Sequence, residues 1–321
     1  MWYARETVRT RPLTRFDEIV MDTNPDATTR FLDPATLEGL GNMHIRARSL
    51  VEGIIAGLHR SPHRGGSVEF AEYAEYAPGH EIRHIDWKVF AKSDKYYVKQ
   101  YEDETNLRVY LLLDGSGSMN FQGEDAPMTK ARYCSFLAAT FAYLFLRQGD
   151  AVGAMTFDEE VRNYLPASTK SSHLDDLFYL LDDLPSDRGT SLAKALDLIA
   201  ERARSRSLIM VFSDLLDANE QALDLLRVLR SRRFEVALFH TLDRAELDLP
   251  YEGLTNFEGL EGEGLLLADP DDLRDQYQAL FGEHLSRIKT QCEQGDIEYV
   301  RFTTDEPLEE VALRFLRGRI G

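Results

Sequence analysis

Residues 106–321 predict an α/β fold, an end-to-end alternation of strand and helix that builds a doubly wound, mostly parallel sheet flanked by helices, behind a smaller N-terminal helix-plus-strand region. Three observations predict it. Strand-like, largely apolar segments recur at 109–113, 151–157, 208–212, 234–240 and 297–302, and the one at 109–113 is continuous rather than alternating, as a strand covered on both faces is. Segments with apolar residues at helical spacing stand between them, the alternation that makes a parallel sheet with crossover helices. Two of the runs stop abruptly at a carboxylate beside small hydroxyl residues, Asp114 and Ser213-Asp214, and the carboxyl ends of strands are where open α/β sheets bind ligands.

Taken in order, residues 1–30 mix Arg, Thr and acidic residues without sustained periodicity, which predicts poor order, and Met21 offers a second possible start. Asp33 then suits a helix N-cap with Pro34 in the first turn, and Leu37, Leu40, Met43, His44 and Ala47 continue at helical spacing, predicting one helix over 34–58. Within 59–105, Ile85, Trp87, Val89 and Ala91 alternate with polar residues and read as a half-buried strand, so 31–105 is set apart as its own region. Residues 129–147 are apolar on nearly every side, a buried helix beneath the loop that follows Asp114. The run 151–157 and a second strand at 161–165 read as a hairpin around Asp158-Glu159. Helices follow at 173–184, 192–203 and 219–232, and residues 265–268 form a short strand after the acidic, Gly-rich loop 258–264. Asp269-Pro270 opens a long helix to about residue 292, and in the last helix Leu308, Val311, Ala312, Phe315 and Leu316 make one apolar face.

The chain has 321 residues and a formal charge of −18, unevenly placed: residues 1–105 hold 14 basic and 17 acidic side chains, residues 106–321 hold 23 and 38. So acidic a second part disfavours nucleic acid and anionic membranes, whose affinity comes through Lys and Arg. Met1-Trp2-Tyr3-Ala4-Arg5 leads into charge without an apolar core, so no signal peptide is read. The longest nearly apolar stretch, 136–146, falls short of the roughly 20 residues that span a bilayer. A cytoplasmic protein without membrane insertion is expected. Cys134 and Cys292 have neither metal-ligand spacing nor a disulfide framework and read as free, packed thiols.

In an extended segment, side chains at i, i+2 and i+4 point the same way, so Asp114, Ser116 and Ser118 can offer three oxygens to one point, with Gly115 and Gly117 letting the backbone bend. A carboxylate with hydroxyls suits a hard cation: Mg²⁺, or Mn²⁺ or Ca²⁺. The plain alternative is a Gly/Ser turn. Two later stretches add to the set: Gly189-Thr190-Ser191-Leu192 before a helix, and Ser213-Asp214 closing a strand. This three-part pattern resembles the metal-ion-dependent adhesion site of von Willebrand factor A domains. That resemblance implies Asp114, Ser116, Ser118, Thr190 and Asp214 as ligands, direct or through water.

A second resemblance rests on His63-Arg64-Gly65-Gly66, Glu69-Phe70 with Tyr76, Pro78-Gly79 followed by Arg83, Ile85-Asp86-Trp87, and the closing Thr304-Asp305-Glu306-Pro307-Leu308. From about Phe31 to the C-terminus the chain resembles the domain of unknown function 58 family, whose members carry such a region ahead of a von Willebrand A-like domain. His80-Glu81 stands where that family usually has acidic residues. The resemblance implies Arg83, Asp86 and Trp87 as partner-binding residues, a MoxR-type AAA+ ATPase as partner, and an adaptor role in chaperone-like assembly or maturation of client complexes.

His59/His63 and His80/His84 are spaced i, i+4 and invite zinc, but Pro62 interrupts the first pair and no cysteine joins them. Arg83, Lys88, Lys92, Lys95 and Lys99 with Trp87, Phe90, Tyr96 and Tyr97 mimic a nucleic-acid patch and fit better as strand core or a docking face. Neither a phosphate-binding Gly-x-x-x-x-Gly-Lys loop nor a Gly-x-Ser-x-Gly elbow is present. Three readings follow. The first is a non-enzymatic interaction module whose cation completes its shell with an acidic side chain of a partner. The second is a metal-dependent hydrolase or phosphatase using the same ion, with Asp158 or His173 folding in as base. The third is a binding module working through 59–100, with the metal loop structural.

Overall fold

The computed structural model describes residues 43–59, 73–75, 97–99, 107–182, 184, 188–216, 220–261 and 264–320. By compactness the chain divides into residues 1–60 with 107–321, and residues 61–106. The division therefore falls on either side of the second segment rather than at 105/106, and the helix before residue 60 belongs to the α/β unit. In the smaller unit, β1 (Tyr73–Glu75) pairs antiparallel with β2 (Tyr97–Lys99), Tyr73 opposite Lys99. The alternating segment 85–91, the helix start at Pro34 and residues 1–30 lie outside the described residues.

The larger unit begins with α1 (Met43–His59), β3 (Arg108–Asp114), a 3₁₀ turn (Gly117–Asn120) and α2 (Lys130–Arg147). It continues through β4 (Ala151–Phe157), β5 (Val161–Ser168), α3 (His173–Asp182), α4 (Leu192–Arg202) and β6 (Leu208–Ser213). Next come α5 (Glu220–Ser231), β7 (Glu235–Leu242), α6 (Arg244–Asp248), β8 (Thr255–Glu258) and β9 (Leu265–Ala268). The chain closes with α7 (Pro270–Gln294), β10 (Glu298–Thr303) and α8 (Leu308–Ile320).

Six strands form the central sheet in the order β10-β7-β6-β3-β4-β5, all parallel except β5, which returns antiparallel beside β4. From β3 the chain winds outward to β5 and then comes back to the other side of β3 for β6, β7 and β10. The winding direction thus reverses between β3 and β6, and such a switch point opens a crevice at the carboxyl ends of its strands. The α/β fold expected from the sequence is the fold found.

The alternating sides of β3 explain why its apolar run is unbroken. Val109, Leu111 and Leu113 face a core built with α1, α2, α3 and α8, and Tyr110 and Leu112 face a second core built with α4, α5 and α7. In the first, Phe239 stacks on Phe212 with ring centroids 4.7 Å apart and meets Phe141 and Phe315 at 5.5 and 5.2 Å, offset and tilted geometries that aromatic quadrupoles favour. Helix α1 buries Met43, Ala47, Leu50, Val51 and Ile54 on one stripe against α2 and α8.

Two features depart from the predicted alternation. A short helix, α6, follows β7, held by a reciprocal cap in which Asp243 and Glu246 exchange hydrogen bonds with each other's backbone end. The apolar run 265–268 is a strand as expected, but it pairs only with β8, in a separate two-stranded sheet. Leu265, Leu266 and Leu267 are 69, 62 and 62 % exposed, so this run does not mark core.

Candidate functional site

Strand β3 delivers Asp114 to the carboxyl edge, fully buried, opposite Phe157 of β4. The chain then turns tightly. Gly115 N–H donates to the Phe157 carbonyl at 2.7 Å, and Ser116 N–H returns to Asp114 Oδ1 at 3.0 Å, a local side-chain turn of the kind Asp favours. This brings the Ser116 and Ser118 hydroxyl oxygens to 3.1 Å from each other. The loop before α4 is fastened by Gly117 N–H to the Arg188 carbonyl and by Ser191 N–H to the Asp158 carbonyl, each 2.8 Å. So held, Thr190 donates its hydroxyl to Asp114 Oδ2 at 3.1 Å. From β6, Ser213 donates to the same oxygen at 2.7 Å, while Asp214 accepts Leu216 N–H at 3.3 Å. All five residues that the sequence nominated, Asp114, Ser116, Ser118, Thr190 and Asp214, are brought into one connected group.

The group is electrostatically tense. Burial, and then repulsion from Asp214, push the Asp114 carboxyl up to about 6, against hydrogen bonds from Ser213 and Ser116. Asp214 feels burial most strongly, but the charge and hydrogen bond of Lys130 outweigh it and hold its carboxyl below the ordinary range. Lys130, first residue of α2, lies wholly buried with Nζ 2.8 Å from Asp214 Oδ2 and in contact with Glu246 Oε1. Burial disfavours its charge, and the two carboxylates overcome that and raise it. Glu246 is itself pushed up by burial despite the lysine. Below this pair, Asp243 accepts Gly123 N–H at 3.0 Å and the Thr304 hydroxyl at 3.2 Å, and the Tyr133 hydroxyl donates to the Glu306 carbonyl at 2.8 Å. The closing Thr304-Asp305-Glu306 motif thus ties the ends of β7 and β10 to α2.

The tip of the β8–β9 hairpin reaches the same loop. Ser118 N–H donates to Glu261 Oε1 at 3.3 Å. The Leu260 carbonyl oxygen lies 2.2 Å from where a Cβ on Gly117 would stand, so only glycine admits this approach.

The donor set is all oxygen, which suits a hard cation. Among the described residues no cluster of three or more His, Cys, Asp or Glu side chains could hold a metal by itself. Any cation here would therefore rest on Asp114 with the hydroxyls of Ser116, Ser118 and Thr190, and on Asp214, part of whose charge Lys130 already answers. Two buried carboxylates repelling each other fit such an ion, because a cation between them relieves the repulsion.

The family model for a protein of unknown function, DUF58, matches residues 72–287, more than half of the chain. The chain belongs to the DUF58 family. Curated relatives of this DUF58 chain include Uncharacterized protein Rv1480 of Mycobacterium tuberculosis and Uncharacterized protein Mb1516 of Mycobacterium bovis, each 26 % identical over 89 % of this chain and 90 % of the relative. Similar solved structures include the conserved hypothetical protein BatB from Bacteroides thetaiotaomicron, 16 % identical over 67 % of this chain and 98 % of that one, TM-score 0.46. An aerotolerance-related membrane protein from Bacteroides fragilis matches at 18 % identity over 67 and 98 %, TM-score 0.45. The SpRpn10 VWA domain matches at 11 % over 64 and 94 %, TM-score 0.38.

For this DUF58 chain, both bases nominated for a hydrolase fail on geometry. His173 Nε2 lies 3.0 Å from the carbonyl of Val152, near the start of β4, whereas the site lies beyond its end at Phe157. Asp158 stands beside the site, but its carboxylate accepts Glu160 N–H at 2.9 Å and pairs with Arg162 at 2.6 Å. Arg83, Asp86 and Trp87, and the ring nitrogens of His59, His63, His80 and His84, lie outside the described residues and side chains. Sequence reading missed Ser213, Lys130 and Glu261. Ser213 had a signal, since it adjoins Asp214 at the end of a strand. Lys130 at a helix start resembles any solvated lysine, and Glu261 sat in a loop read only as acidic. No described helix is long and apolar enough to cross a membrane.

Proposed function

We propose that this DUF58 chain is a non-enzymatic protein-interaction module whose crevice holds Mg²⁺, with Mn²⁺ or Ca²⁺ as substitutes, and recognises an acidic side chain of a partner. The observation that carries the reading is the convergence on Asp114 of Ser116 N–H and of the Thr190 and Ser213 hydroxyls, with the Ser116 and Ser118 oxygens 3.1 Å apart. When bound, the cation would supply an electrophilic centre with a position open to one more anionic oxygen. The chain's own residues do the rest. Asp114 anchors the group at the sheet edge, Ser116 and Ser118 orient hydroxyls from the turn, and Thr190 brings the neighbouring loop to the same carboxylate. Lys130 keeps Asp214 charged and fixed. With His173 distant and Asp158 paired to Arg162, the hydrolase reading loses its nominated bases.

The family resemblance supplies a partner class, a MoxR-type AAA+ ATPase, and with it an adaptor role for client complexes in the cytoplasm. The test mixes the purified chain with the MoxR-type ATPase of its own organism, in Mg²⁺ and in EDTA, with Asp114→Ala beside wild type. Binding by wild type in Mg²⁺ alone supports the reading. Equal binding in all four samples would refute the metal bridge and leave residues 59–100 as the docking region.

A further inference from the structure

The β8–β9 hairpin is placed by its two ends and not by burial. Its root is held by Arg274, whose guanidinium donates to the Leu249 and Tyr251 carbonyls at 3.2 and 2.7 Å. Its tip, closed by Gly259 N–H to the Gly264 carbonyl at 2.8 Å, rests on the turn after Asp114, where the Leu260 carbonyl takes the room that a side chain on Gly117 would fill. Between these anchors β9 stands bare. Leu265 is registered opposite Glu258, Leu266 opposite Phe257 and Leu267 opposite Asn256, so Leu265 and Leu267 point to one side of the ribbon and Leu266 to the other. All three are largely exposed, and among the described residues no third strand lies along β9. Natural sheets blunt an open edge with a lysine, a proline or a bulge; Leu265–Ala268, in unbroken register, carries none of these.

The two bare faces decide the shape of what covers this edge. A helix laid on one face would leave the leucines of the other in water. A strand added alongside takes the outward backbone groups of β9 and sets side chains beside the leucines on both faces, and three strands make a stable sheet where two are marginal. Charge decides its composition. Residues 252–275 hold eight acidic side chains and one basic, Arg274, and Arg274 is engaged by the two carbonyls at the root and by Asp271 at 2.7 Å. Glu258 stands at the tip end of β9, and Asp269, Asp271 and Asp272 follow its root end. A second copy of the hairpin, or an anionic bilayer, would bring like charge to like. We propose that β9 is a docking edge that takes an extended segment of a partner protein as a third strand, apolar at its centre and flanked by Lys or Arg. This edge needs no cation and stands apart from the crevice. Because the ribbon is already held at both ends, the cost of ordering falls on the partner's segment.

The test titrates the full chain, in EDTA and in Mg²⁺, into three fluorescent peptides read by anisotropy. One alternates valine and threonine between flanking lysines, the second carries the same core between glutamates, and the third is the lysine peptide with prolines in place of the threonines, which cannot pair as a strand. The lysine peptide should bind equally in EDTA and Mg²⁺ and more weakly as salt rises, and the other two should not bind. Leu266→Glu and Leu267→Glu, both at surface positions that leave the core intact, should each weaken binding at least tenfold. Tyr179→Glu, which adds the same charge at an exposed apolar site on α3, should match wild type. Equal binding of the proline peptide would overturn strand addition, and equal binding of the glutamate peptide would overturn the charge match. Binding in Mg²⁺ alone would place the peptide at the crevice and overturn the docking edge. No binding of the lysine peptide up to about a millimolar would sink the proposal and leave the metal reading untouched. Sedimentation of the chain alone checks the remaining occupant: a dimer dissolved by Leu266→Glu would make the second copy the occupant instead.

Discussion

Replacing Lys130 by methionine would test how the crevice is charged. The perturbation is clean, because methionine has nearly the reach of the lysine stem and leaves the surrounding packing filled. What it removes is the ammonium that meets Asp214 at 2.8 Å and also contacts Glu246, with side-chain exposures of 0 % for Lys130, 1 % for Asp214 and 13 % for Glu246. Breaking a buried pair by deleting one partner costs about 3–5 kcal/mol, most of it from the charge left behind. Glu246 is the more accessible of the two and already pushed up by burial, so it takes up a proton readily and the loss falls at the lower end, about 3 kcal/mol. In a domain of this size each kcal/mol moves the melting point by about 2–4 °C, so the midpoint should drop by roughly 6–12 °C. The assay is urea and thermal unfolding in EDTA, where no divalent ion contributes. The double variant Lys130→Met/Asp214→Asn should recover at least half of the loss, since it removes the stranded charge. A loss below about 1 kcal/mol, or a double variant no better than the single one, would refute the account.

Asp114→Asn should separate charge from fold. In EDTA it should be as stable as wild type or slightly more so, because it relieves the repulsion that pushes the Asp114 carboxyl up to about 6, and the thermal stabilisation that Mg²⁺ gives wild type should vanish. At one hundred times its dissociation constant a ligand adds about 2.7 kcal/mol, so a wild-type protein with no Mg²⁺ shift in a melting scan would count against the site. Burial pushes the thiols of Cys134 and Cys292 up to about 12, so iodoacetamide at pH 8 should label neither until the protein is denatured, when both should react. Since the native state keeps these protons longer than the unfolded chain does, the stability they contribute is whole below the ordinary thiol value and is lost as pH rises toward 12. Alkaline unfolding monitored by circular dichroism checks that sign.

The strand ends were legible because a strand buried on both faces has no freedom of composition. Val109 to Leu113 and Leu208 to Phe212 had to be apolar throughout, so the first carboxylate after each run marked the sheet edge. Thr190 was legible only in combination with these, since a Gly-Thr-Ser loop alone could lie anywhere. Lys130 was not legible: its partners are 84 and 116 residues further along the chain, and local sequence does not report pairing over that distance. Leu265 to Leu267 misled in the opposite direction, because an apolar run signals strand but not what covers it. His173, offered as a base, stands instead against the start of the strand at 151–157, its Nε2 3.0 Å from the Val152 carbonyl, because a position in the sequence does not report the height at which a side chain stands.

The division of the chain at residues 60 and 107 has a mechanical consequence. The segment 61–106 leaves the α/β unit from α1 and re-enters it at β3, so it is tethered at both ends, and the second tether is the strand that carries Asp114. A load applied to that segment is delivered through Leu107, whose N–H is held by Asp150 at 2.9 Å, straight along β3. Cutting the protein at residue 106 would also strip α1 from the core and bare the surface that covers Leu50, Val51 and Ile54.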